Sequence, residues 1–132
     1  MVFFPGMVFA QTAGNLSTDF WLTFPQGDLE NPPRNETLLI SSTTATSGTV
    51  QIPGLAYSTP FTVSAGGMAT LGLPFACMPK GSEITEFLGI HVTSLSPVAV
   101  VGFSNEGDSS EAYLALPTAT LGRSYITLSY EE

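Results

Sequence analysis

Apolar and polar residues alternate with a spacing of two along most of the chain, in short runs separated by turn formers. In Thr49–Ile52, Val50 and Ile52 share one face while Thr49 and Gln51 share the other. Phe61 and Val63 alternate with Thr62 and Ser64, and Ala69, Leu71 and Leu73 line up on one side. Ile90 and Val92 do the same in Gly89–Thr93, which sends His91 to the opposite face. Thr18–Phe24 is an aromatic-rich strand and Glu36–Ser42 a buried one. Pro97–Phe103 is apolar on both faces, as a central strand should be. "EAYLALPT" and "RSYITLSY" supply the last two strands, around the turn from Pro117 to Gly122. Pro25 and "QGDLENPPRN", Pro53-Gly54, Ala65-Gly66-Gly67, Pro74, Ser94–Pro97 and "SNEGDSSE" are the remaining breaks. Phe75–Phe87 is irregular and is expected to be a loop with one short helical turn. No segment of helical length carries a 3.6-residue period. Turn signals at a spacing of about 8–12 residues predict an all-β fold, an antiparallel β-sandwich of roughly nine short strands.

Composition sharpens this picture. A chain of 132 residues is one domain or less. It can bury about two thirds of its unfolded surface, enough for a core without disulfides. Charged residues make up only 11%, so the outer strand faces must be built from uncharged polar groups, supplied here by Thr and Ser. Thr suits that position because its β-branch fits a half-exposed pleat. The net charge of −8, with Arg34, Lys80 and Arg123 the only cations, excludes a nucleic-acid binder that must neutralise phosphates. It disfavours an anionic membrane surface for the same reason. A single cysteine, Cys77, rules out an intrachain disulfide.

The first ten residues, "MVFFPGMVFA", are apolar, and Val8-Phe9-Ala10 before Gln11 resembles a small-residue cleavage site. A basic leader region is absent. The segment is therefore either the remnant of a signal peptide, the favoured expectation, or a first strand. On that expectation residues 1–10 are the remnant and 11–132 the β domain.

Candidate chemistry is sparse. His91 has no G-x-S-x-G elbow or neighbouring acid in sequence to make it catalytic, so it is expected to be a surface or strand-pairing residue. Cys77, three residues from Lys80, is expected to be a small buried side chain. "SNEGDSSE" offers Asn105, Glu106, Asp108 and Glu111 as oxygen ligands for calcium, although a solvated acidic loop explains the same residues. Asp28 and Glu30 form a weaker acidic pair. No other metal or cofactor is expected. Phe20, Trp21, Phe24, Tyr113, Tyr125 and Tyr130 are expected mainly in packing, with exposed Trp and Tyr as interface anchors. Asn15-Leu16-Ser17 and Asn35-Glu36-Thr37 fit the glycosylation sequon.

Five segments in order, "TDFWLTFP", "LLISSTTATSGTVQIPG", "FTVSAGGMATLGLP", "GIHVTSLSPVAVVGFS" and "EAYLALPTATLGRSYITLSY", together resemble the N-terminal domain of the IgGFc-binding protein family. They cover Thr18 to Tyr130. The resemblance implies an extracellular β-rich domain, secreted or displayed on the cell surface. It also implies, by the family's name, binding to the Fc part of immunoglobulin G. The chain stops soon after "LSY", where the family domain would continue, so the sandwich is expected to be a fragment incomplete at its C-terminus, flanked by further modules in a longer chain. No catalytic motif comes with the resemblance, and no enzyme activity is expected. The expected function is an adhesion or binding module for protein or glycan ligands, without membrane insertion. The alternative is a structural spacer in a large modular surface protein.

Overall fold

A computed structural model describes residues 14–25, 34–81, 84–106 and 109–125. The expected signal remnant at 1–10, the Asp28–Glu30 pair, Asp108 and residues 126–130 of the last expected strand lie outside the described residues. The fold is all-β and antiparallel. Its strands are β1 (Ser17–Leu22), β2 (Arg34–Ser41), β3 (Thr46–Ile52), β4 (Tyr57–Val63), β5 (Met68–Gly72), β6 (Ile90–Glu106) and β7 (Ser109–Leu114). Three short 3-10 turns, Pro53–Leu55, Phe75–Cys77 and Thr118–Thr120, interrupt them. Among the described residues no helix is long and apolar enough to cross a membrane.

β6 organises the sheet. Its first half lies between β3 and β1, with Val92 opposite both Val50 and Phe20. Its second half lies between β2 and β7, with Val101 opposite both Leu39 and Leu114. One layer thus runs β4–β3–β6–β1 and the other β5–β2–β6–β7, and the two share a single strand. β4 touches β5 at one seam, and Phe20 bridges Pro117 at the other, so the sheet is nearly closed and barrel-like. Closure matters because an uncovered strand edge is a template for unwanted pairing. The strap from Ala115 to Thr120 covers the outer edge of β1.

Period-two alternation puts the core where the apolar positions predict. Phe20, Val50, Ile52, Phe61, Ile90 and Val92 come from the first layer, and Leu38, Ile40, Val98 and Val100 from the second. Ala69, Leu71 and Leu73 pack against them. Phe75–Cys77 supplies the short helical turn expected in the irregular segment. Both halves of β6 keep one parity: Ile90, Val92, Val98 and Val100 all point inward. Gly89–Thr93 and Pro97–Phe103, expected as two strands around a turn, are therefore one strand of 17 residues. The polar stretch at Ser94–Pro97 is where β6 passes from one layer to the other. Side chains stand in there for lost ladder bonds. Ser96 N–H donates to Thr46 Oγ1 (2.9 Å), and the Ser42 hydroxyl donates to the Pro97 carbonyl (3.1 Å).

Two other expectations are revised. "SNEGDSSE" is not a loop for most of its length, because Ser104–Glu106 and Ser109–Glu111 pair as the end of the β6–β7 hairpin. Its polarity belongs to strand ends, which sequence cannot tell from a loop. Pro117–Gly122 does not simply join two strands: Pro117 leads into the Thr118–Thr120 turn that straps β1, and Leu121–Tyr125 is not strand.

Candidate functional site

The outer face of the first layer carries the most distinctive side chains. Strand pairing places Trp21 (β1), His91 (β6), Gln51 (β3) and Ser58 (β4) in one row across the sheet. The neighbouring row is Asp19, Thr93, Thr49 and Pro60. These residues face outward because the alternate positions, Phe20, Ile52 and Val92, are committed to the core.

Asp19 and His91, 72 positions apart in sequence, meet diagonally: His91 Nε2 lies 2.9 Å from Asp19 Oδ2. The imidazole also stacks on the Trp21 indole, with centroids 4.3 Å apart and planes within 6°. Side chains from facing positions stand upright on a pleated sheet, which brings two flat rings together. Trp21 remains 41% exposed. On the strap side, Asp19 Oδ1 and Thr118 Oγ1 are both shut off from solvent, and neither makes a hydrogen bond of regular geometry. The Thr118 hydroxyl is nevertheless close enough to be the largest influence holding the Asp19 carboxyl below its ordinary pKa, ahead of His91. Asp19 thus ties the strap, the edge strand and the central strand together.

One residue pair along β6 from His91, an open cleft of about 320 Å³ is lined by Ser47, Gly48, Thr49, Thr93, Ser94 and Leu95. Its wall is mostly hydroxyl, and Leu95 is 83% exposed at its rim. A second cleft, of about 350 Å³, lies between Thr23 and the Pro79–Gly89 segment. There the Glu86 carboxylate accepts from the N–H groups of Lys80 and Gly81, both at 2.9 Å, and so pins the loop.

The sequence candidates fall as follows. His91 lies one residue into β6 rather than mid-strand; it is on the outer face, as expected, and is paired. Its acid, Asp19, was not evident from sequence, since the β1–β6 pairing is non-local. Trp21 and Tyr125 are exposed, whereas Phe20 and Phe24 are core and Tyr113 packs partly buried against it. Asn105 and Glu111 occupy opposite faces of the hairpin, because Asn105 is opposite Ser110 and Glu111 is opposite Ser104. The Ser110 hydroxyl donates to the Asn105 amide oxygen (2.9 Å). Glu106 lies on β6 opposite Ser109. Among the described residues no three or more His, Cys, Asp and Glu side chains converge as a metal site.

Cys77 is fully buried, and burial first, then the nearby Glu36, pushes its thiol up to about 11. Lys80 does not activate it: the ammonium lies over the Phe75 ring, 4.6 Å from the centroid. Glu36 itself is an unexpected interior carboxylate, 2% exposed on the inward face of β2, accepting from the Ser104 hydroxyl at 3.0 Å. The alternation Glu36, Leu38, Ile40 was its signal in sequence. Tyr113 shares this region, and burial pushes its phenol pKa upward.

No family model matches the chain, and no curated protein or solved structure does either.

Proposed function

We propose that the chain is an extracellular recognition module that binds its ligand on the outer face of the β4–β3–β6–β1 layer. The observation that carries this reading is the half-exposed Trp21 held upright against His91, which is itself fixed by Asp19. A preset aromatic costs little entropy to use in binding, and exposed Trp is enriched at energetic centres of interfaces. The adjoining hydroxyl-lined cleft extends the surface. The resemblance of five segments to the IgGFc-binding family supports the extracellular setting and makes immunoglobulin G the first protein to test. The reading is one of binding without catalysis: the imidazole is engaged by a carboxylate and an indole. Among the described residues no hydroxyl or thiol hydrogen-bonds it as a nucleophile would.

The test is surface-immobilised binding of the chain to immunoglobulin G, mucin and oligosaccharide panels, with Trp21→Ala alongside. Binding to at least one panel member that the substitution weakens tenfold or more supports the proposal. Retained folding with no binding to any panel member rejects it and leaves a structural spacer as the better account.

A further inference from the structure

We infer that the ligand of this face is a neutral oligosaccharide, an inference that rests on the recognition reading above. The chemistry of the face is uncharged and rich in hydroxyls. Ser47, Thr49, Gln51, Ser58, Thr62 and Thr93 share the outer side of β3, β4 and β6, and Gln51, Ser58 and Thr62 are exposed. Hydroxyl and amide groups both donate and accept hydrogen bonds, which matches the two-way demand of a sugar hydroxyl. None of the three cations lies on β1, β3, β4 or the first half of β6, and the one charged carboxylate in the two rows is Asp19. An anionic sugar would meet that carboxylate with no Lys or Arg in either row to attract it, and the one imidazole there is already engaged by Asp19. A protein partner would lack the contiguous apolar centre typical of protein interfaces, since on the strands of this face Trp21 and Leu95 are the two large apolar side chains exposed among the described residues, and Phe87 is exposed beyond the start of β6.

The dimensions suit a chain of sugars. Thr93 lies two residues from His91, about 7 Å along the strand, and Leu95 as far again. Trp21 and His91 thus stand at one end of a strip that ends in the 320 Å³ cleft. The aromatic end offers an apolar edge to sugar C–H groups, and the cleft offers hydroxyl partners to the next residue. Because Asp19 holds His91 against Trp21, the aromatic end is preorganised before the ligand arrives.

The experiment compares binding of the chain to immobilised neutral and sialylated oligosaccharides, and to immunoglobulin G before and after enzymatic removal of its N-linked glycans. Trp21→Ala, the pair Thr49→Val with Thr93→Val, and Met68→Ala on the exposed β5 edge are run together, each checked for cooperative melting. The expected result is preference for neutral glycans, a tenfold or greater loss with Trp21→Ala, a smaller loss with the two valines, and no change with Met68→Ala. Equal binding to deglycosylated immunoglobulin G, or stronger binding to sialylated glycans, overturns the glycan assignment while the recognition reading survives. Glycan binding that Trp21→Ala leaves untouched overturns the location. If nothing binds, both are overturned.

Discussion

Gly102 and Tyr113 face each other across β6 and β7, and replacing the glycine by alanine tests how this fold uses its tyrosines. A Cβ at position 102 would lie 2.6 Å from Cζ and 2.7 Å from Cε1 of the Tyr113 ring. The ring cannot simply tilt away. It packs edge-on against Phe24 at 5.8 Å, and its hydroxyl donates to the Thr23 carbonyl at 2.6 Å. Overpacking of this kind costs about 1–3 kcal/mol. Displacing the hydroxyl from Thr23 adds about 1 kcal/mol. Gly102→Ala should therefore destabilise by roughly 2–4 kcal/mol. For a domain of this size that lowers Tm by roughly 10 °C or more. Urea unfolding of the wild type, Gly102→Ala, Tyr113→Ala and the double variant closes a cycle. If the ring is the obstacle, Gly102→Ala becomes nearly neutral in the Tyr113→Ala background, and the coupling equals most of its roughly 2–4 kcal/mol cost. The same cost in both backgrounds would refute the steric reasoning.

Three further outcomes are expected. The folded-state pKa of Asp19 lies below its ordinary value, so its stabilisation is complete above the unfolded carboxylate's pKa of about 4 and is lost as pH falls through the lowered folded value. Tm measured from pH 5 to pH 2 should drop more steeply for the wild type than for Asp19→Asn, and parallel curves would remove Asp19 from the account. Cys77, buried with its thiol pushed up to about 11, should resist a charged thiol reagent at pH 8 until the protein is unfolded. Fast modification of the native chain would contradict this burial. Ala56 occupies the left-handed region at φ 50°, ψ 29° after the Pro53–Leu55 turn. Ala56→Gly should stabilise by about 0.5 kcal/mol, the relief of the Cβ clash less the added unfolded-state entropy, and a lower urea midpoint would argue against it.

Much of the strand content was legible because a strand face has a fixed period of two, and burial on one side leaves that period in the residues. Val50 with Ile52, Phe61 with Val63, and Ile90 with Val92 all point to the core as the alternation requires. The outward position of His91 followed from the same parity. Local sequence could not show that Gly89–Thr93 and Pro97–Phe103 belong to one strand, because the hydroxyls that bridge the Ser94–Pro97 passage come from Thr46 and Ser42 on other elements. Nor could it tell the hairpin ends Ser104–Glu106 and Ser109–Glu111 from a polar loop, since both are hydrophilic.

Amino-acid order alone thus determined the all-β class, the side that meets the core in the strands with clear alternation, and the uncharged, hydroxyl-rich character of the outer faces. These are properties of single segments and of composition. Tertiary structure alone decided that Asp19, Trp21 and His91 come together, that Thr118 closes over the carboxylate from the strap, and that Tyr113 spans the bare backbone at Gly102. Each depends on strand partners tens of residues apart, and which strands pair is settled by closing the whole sheet around one core.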